Sequence, residues 1–108
     1  FEVQAAFFMF GSAIKISNDN RFIYVSNRGQ DTIVVFENVS SKLKEIQTIS
    51  TEGADPRDFA LSKDNKLAVA TNETSGTITV YAVDQKTGEL DVVQCGVEVP
   101  EAVCVKFV

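Results

Sequence analysis

Two arginines stand in settings that could hold an anion: Arg28 in Ser26-Asn27-Arg28-Gly29 and Arg57 in Pro56-Arg57-Asp58-Phe59. A guanidinium presents a planar fork of N–H donors that meets a carboxylate or phosphate at two points. Each arginine also has a plainer use. Arg28 can bridge to Asp31 or Asp58, and Arg57 has Asp58 beside it in the chain. Lys15 is a third cation, able to act as a base if desolvated and simply facing water if not. Histidine is absent, and the two cysteines are Cys95 and Cys104. The usual zinc constellations and every histidine-based triad are thereby excluded. The residues call for no metal and no cofactor. The thiols read as reduced and mostly buried, in a cytoplasmic protein.

The elements that would carry these side chains come from a repeat. Ser17/Ser62, Asp19/Asp64, Asn20/Asn65, Val25/Ala70, Asn27/Asn72, Thr32/Thr77, Ile33/Ile78, Val35/Val80 and Phe36/Tyr81 align without a gap at a constant offset of 45 residues. A period of roughly 40–50 residues holding several short strands is the signature of a β-propeller blade. Strands are expected at Ser12–Ser17, Phe22–Ser26, Thr32–Phe36 and Leu43–Ser50, and again at Arg57–Ser62, Leu67–Thr71, Thr77–Val83 and Leu90–Val97. Polar or Gly-containing turns separate them. On the strand at 43–50, Leu43, Glu45, Gln47 and Ile49 are expected on one face, and Lys44, Ile46 and Thr48 on the other. That strand would be wet on both sides.

The fold class is therefore all-β: two full four-stranded antiparallel blades, at about 12–51 and 56–97, within one segment spanning 1–108. Residues 102–108 would start a further blade, and 1–10 would be the outer strand of a preceding one. Labelling the strands A to D from the channel outwards, the A–B and C–D turns share one rim. The B–C turns and D–A links share the other. Arg28, Arg57, Asp58, Asn72 and Glu73 become neighbours on that second rim, while Lys15, Arg57 and Lys106 are candidates to face the channel. Asn27 and Asn72, at one repeat position, read as turn residues, as do Asp19 and Asp64.

A hydrophobic share of 44% and a charged share of 23% suit a globular chain. No apolar run is long enough to cross a bilayer as a helix. A net charge of −5 argues against nucleic acid, which needs a basic face. The first residue is not methionine and no leader pattern follows, so the expectation is a piece of a longer protein. Two blades alone would leave apolar faces open, so either self-association or further blades of a longer chain should cover them. The sequons at Asn38-Val39-Ser40 and Asn72-Glu73-Thr74 are short patterns that arise by chance and are set aside.

Residues 20–29, the following Asp31-Thr32-Ile33, Pro56-Arg57-Asp58-Phe59, Thr87-Gly88-Glu89-Leu90 and Val103-Cys104-Val105-Lys106-Phe107 together resemble the C-terminal end of the lactonase family. That family groups seven-bladed 6-phosphogluconolactonases with fungal carboxymuconate-lactonising enzymes, and the resemblance covers the chain from Ser12 onward. It implies a fragment of a seven-bladed propeller, and lactone hydrolysis or formation without a metal. It further implies arginines that hold a small anionic lactone: Arg28 in a catalytic position, with Arg57, Asp58 and Lys15 binding substrate.

The family typically reads Ala-Glu-Ile-His before the serine of the A–B turn. The matching stretch here is Ala13-Ile14-Lys15, without the carboxylate or the imidazole. Loss of a general acid–base group removes roughly 10²–10⁴ in rate, so the base should come from other blades. The alternative is a non-catalytic propeller used for binding, since Val25-Ser26-Asn27 and Ile33-Val34-Val35 also resemble surface-layer propellers with a Tyr-Val-Thr-Asn repeat.

Overall fold

The computed structural model describes residues 11–27 and 29–99, the side chains at 12 and 57 excepted. Eight strands follow one another: β1 (Gly11–Ile16), β2 (Phe22–Asn27), β3 (Thr32–Val39), β4 (Lys42–Ser50), β5 (Pro56–Leu61), β6 (Leu67–Asn72), β7 (Thr77–Val83) and β8 (Leu90–Glu98). They form two four-stranded sheets, β1-β2-β3-β4 and β5-β6-β7-β8, antiparallel throughout and in chain order. No helix occurs among the described residues. Arg28, Cys104, Lys106 and the strands read at 1–10 and 102–108 lie outside the described residues.

The repeated Ser-x-Asp-Asn turns fold the same way twice, because the same acceptors are present. Ser17 Oγ donates to Asp19 Oδ1 (2.7 Å), which also accepts from Arg21 N–H (3.1 Å), and Phe22 N–H donates to Ser17 Oγ (3.0 Å). Ser62, Asp64, Lys66 N–H and Leu67 N–H reproduce this at 2.7, 3.0 and 3.0 Å. Asn20 and Asn65 close the turns at φ 61° and 58°, a conformation that asparagine tolerates better than most residues.

The first sheet is apolar on both faces. Phe22, Tyr24, Ile33 and Val35 pack against Phe59, Ala68, Ala70, Tyr81, Val83 and Leu90 of the second sheet, while Ile23, Val25, Val34 and Phe36 form a separate buried cluster. Because successive side chains on a strand point to opposite faces, that second cluster lies on the far side of the sheet. Directional contacts set the docking. The Tyr24 ring stacks on Phe59 at 5.8 Å, its hydroxyl donates to Gly88 O (2.7 Å), and the Tyr81 hydroxyl donates to Ser50 O (2.8 Å). Gln47 spans the seam like an extra rung, donating to Leu90 O (2.8 Å) and accepting from Leu90 N–H (2.7 Å). The Arg21 guanidinium lies over the Phe22 ring and donates to Lys86 O (3.1 Å). Burial, with the Asp19 charge adding to it, pushes the Tyr24 phenol up to about 12.

Two expectations are corrected. Strand β4 does not alternate cleanly, because a bulge shifts its register between Val35↔Gln47 and Phe36↔Glu45. Ile46 is the extra residue, so Ile46 and Ile49 both reach the inter-sheet core while Leu43 packs on the opposite cluster. Those three and Gln47 are half-buried, and the other five positions of the strand are exposed. Cys95 is exposed, not buried, since it sits on the outermost strand β8 beside Gly96, whose φ of +69° marks an irregular stretch of the ladder.

Gly88 has a φ of +76°, and a Cβ there would overlap the Phe22 ring. Replacing Gly88 with alanine combines backbone strain with overpacking at the seam, and should cost about 2–4 kcal/mol. Denaturant unfolding of the parent protein checks this; an unchanged midpoint would contradict the close approach of Gly88 to Phe22 at the seam.

Candidate functional site

The B–C turns and D–A links meet on one rim, and hydrogen bonds wire them together. Asn27 Oδ1 accepts from Gly29 N–H (3.0 Å), an Asx turn leading out of β2. Asp31, at φ 54°, uses both its carbonyl and its carboxylate. Its carbonyl accepts from Thr51 N–H (2.9 Å) and Thr51 Oγ1 (3.0 Å), and its Oδ1 accepts from Asp55 N–H (2.8 Å). The link from Thr51 to Pro56 then ties to the second sheet's turn. Glu73 N–H donates to Asp55 O (2.9 Å), Ala54 N–H donates to Ser75 Oγ (2.7 Å), and the Thr74 hydroxyl bonds the Asp55 carboxylate.

Of the residues singled out by sequence, Arg28 lies outside the described residues. Arg57 is placed by its backbone in β5, the strand alongside β1. Asp58 is half-buried, and its N–H donates to Thr71 Oγ1 (3.1 Å), which donates back to Asp58 O (3.3 Å). Lys15 is exposed on β1, opposite Tyr24. It stands two residues further along its strand than Asp58 does on β5, which is about 7 Å toward the other rim at the usual rise per residue. The link thus leads directly into Arg57 and Asp58, while Lys15 belongs nearer the opposite end of the strands.

The structure adds Thr51 and Thr79, which the sequence did not single out, and joins to them Asn72, expected there as a turn residue. Thr51 and Thr79 are fully buried, and Thr79 Oγ1 donates to Thr51 O (2.6 Å). Asn72, also fully buried, donates through Nδ2 to the same carbonyl (3.0 Å), while its Oδ1 meets no donor among the described residues. Its burial removes the second sequon from consideration. A signal was available: Thr79 holds the repeat position of Val34, a core valine in the first sheet.

The opposite rim contains a cavity of about 210 Å³ lined by Ser17, Asp19, Phe22, Tyr24, Asp64 and Asp84 among others. Its three carboxylates are all held below the usual range. Ser17 does this to Asp19, Ser62 to Asp64, and the backbone N–H groups of Thr87 and Lys86 to Asp84. Three firmly ionised carboxylates repel an anion, so this cavity is a poor place for a phosphate or carboxylate ligand.

A family model described as "Lactonase, 7-bladed beta-propeller" matches residues 4–107. Over 99 residues the chain is 44% identical to the 6-phosphogluconolactonase of Bacillus subtilis, covering 90% of this chain and 28% of that protein. A crystal structure of a Lactobacillus plantarum protein superposes with a TM-score of 0.88 at 44% identity, over 91% of this chain and 29% of that one. A Pseudomonas aeruginosa periplasmic gluconolactonase superposes with a TM-score of 0.78 at 32% identity, over 84% and 26%. The chain therefore spans somewhat over a quarter of the length of the relatives it matches.

The lowered carboxylates carry a pH prediction. Their folded pKa values lie below the unfolded value of about 3.9, so the stability they supply is complete above that pH and is lost as pH falls through the folded values. The melting temperature of the parent should hold from pH 7 to about 5 and drop below about 4. A D19N/D64N/D84N variant should melt lower at pH 7 and lose less on acidification. An acid limb that is unchanged in the variant would contradict these roles.

Proposed function

The chain belongs to the lactonase family of seven-bladed β-propellers, and on that footing we propose that it supplies two blades of an enzyme hydrolysing a sugar-phosphate lactone, 6-phosphogluconolactone in the first instance. The observation that carries this reading is the wiring of one rim. The turn that follows Arg28 and the link that enters Arg57 are held to each other through Asp31, Thr51 and Asp55. Two guanidiniums on neighbouring segments suit a dianionic phosphate better than one does.

In the proposed reaction, water adds to the lactone carbonyl and the ring C–O bond breaks. The ring oxygen takes up one of the water's protons and leaves as a hydroxyl, and the carboxylic acid formed releases the other as it ionises. Arg28 donates to the negative charge that builds on the reacting carboxyl, while Arg57 holds the phosphate with Asp58 fixing its segment. Lys15 adds positive potential in the channel. No metal is assigned to the step. The base that activates water is assigned to other blades, since Ala13-Ile14-Lys15 offers neither carboxylate nor imidazole. Those further blades also cover the open sheet faces, in place of self-association. A phosphorylated sugar does not cross membranes unaided, which suits a cytoplasmic enzyme; no described helix is long and apolar enough to span a membrane. The relatives compared above do not favour the non-catalytic binding module.

The test is turnover of 6-phosphogluconolactone by the full-length parent. Arg28→Gln should lower kcat/KM by about 10²-fold, the range for losing a preorganised donor to developing charge. Turnover by the unaltered parent no faster than buffer would sink the reading, and an unaffected Arg28→Gln variant would remove Arg28 from it.

A further inference from the structure

We infer that Thr51, gripped by Thr79 and Asn72, is a positioning hub that holds the segment entering Arg57 in register with the turn that follows Arg28, and so sets the affinity of the site for its substrate's phosphate. This rests on the anion-binding role proposed for the two arginines. Thr51 is fully buried, and all its polar atoms are engaged. Its N–H and hydroxyl both donate to Asp31 O, at 2.9 and 3.0 Å, and its carbonyl accepts from Asn72 Nδ2 at 3.0 Å and Thr79 Oγ1 at 2.6 Å. One residue thereby joins the B–C turn of the first sheet to strands β6 and β7 of the second. Asp31 comes three positions after Arg28. Its carboxylate holds Asp55 N–H, two positions before Arg57.

The link has no slack where it passes Asn72. A Cβ at Gly53 would stand 2.7 Å from the Asn72 side-chain amide, so only glycine lets the backbone approach this closely.

The hub is not a generic feature of the blade. The repeat counterpart of Thr79 is Val34; Val99, the counterpart of Thr51 in the second sheet, keeps the main-chain bond to Gly76 O (2.8 Å) but has no hydroxyl, and Asn27, the counterpart of Asn72, accepts from Gly29 N–H instead. Val34 shows that an apolar side chain packs well at this repeat position. Packing alone therefore does not account for a buried hydroxyl at 79, which must find a partner to offset its desolvation. The partner it finds is the link that leads to Arg57. A shift of about 1 Å in a positioning contact can cost about 10²-fold, enough for a remote hydroxyl to register in substrate binding.

The experiment uses the full-length parent with Thr79→Val, which keeps the shape and removes the donor, and Thr79→Ser, which restores it. The valine variant should raise both the KM for 6-phosphogluconolactone and the inhibition constant of inorganic phosphate about tenfold, with kcat within about twofold; the serine variant should bring both back. A lower kcat with KM and phosphate inhibition unchanged is the mark of a packing defect and would overturn the hub. Thr51→Val, which removes the hydroxyl from between Asp31 O and Gly53 O and leaves the N–H bond to Asp31 O in place, should move the same two constants in the same direction, and reads the inference if Thr79→Val does not fold. Arg57→Gln separates the two levels. If it leaves phosphate inhibition unchanged, the anion site itself is misassigned; if it abolishes inhibition while the threonine variants do nothing, only the hub is wrong.

Discussion

A sheet that is apolar on both faces cannot stand alone in water, and this constraint shapes the rest of the molecule. The first sheet buries Phe22, Tyr24, Ile33 and Val35 on one side and Ile23, Val25, Val34 and Phe36 on the other. Each large side chain gains about 1.5–3 kcal/mol from leaving water, but that attraction has no direction. Register comes from polar groups at the seam: the hydroxyls of Tyr24 and Tyr81, the Gln47 amide and the Thr51 hub each bond main-chain atoms of the other sheet or of the link between the two. Burial draws the sheets together, and these bonds decide where they stop.

Docking two blades creates two rims, and their chemistry differs. On one, Asp19, Asp64 and Asp84 are held ionised by hydroxyl and main-chain donors around a small cavity. On the other, Asp31 and Asp55 carboxylates are used as acceptors for the turns themselves. A carboxylate already occupied by main-chain and hydroxyl donors shapes the backbone, and the anion site proposed above rests on Arg28 and Arg57 instead. The docking of the two sheets thus leaves ionised carboxylates around a cavity at one end and backbone-engaged carboxylates at the other.

Much of this was legible in the sequence because the repeat is strict where the backbone is strict. Ser17/Ser62, Asp19/Asp64 and Asn20/Asn65 identify turns that need those acceptors and that positive φ, and the strands between them follow from β-branched and aromatic runs. The outer strands were less legible. The bulge at Ile46 and the irregular ladder around Gly96 answer to the neighbouring strand and to solvent, not to a local pattern, so the faces of β4 and the exposure of Cys95 were misread. The hub was hidden for a related reason: Thr51, Asn72 and Thr79 lie far apart in the chain, and each alone looks like an ordinary turn or strand residue. Only the break in the repeat at Thr79 betrays it. The arginine roles came from resemblance, since spacing alone left salt bridges equally open.

The rim that carries Arg28 and Arg57 is proposed to recognise phosphate on a sugar acid. The most direct measurement is calorimetric titration of the full-length parent with the two product acids, 6-phosphogluconate and gluconate, at matched pH and ionic strength. Paired guanidiniums should make the phosphorylated acid bind at least about tenfold more tightly, with an affinity that weakens as salt rises. Equal affinities, or no binding of either, would contradict the account at its centre.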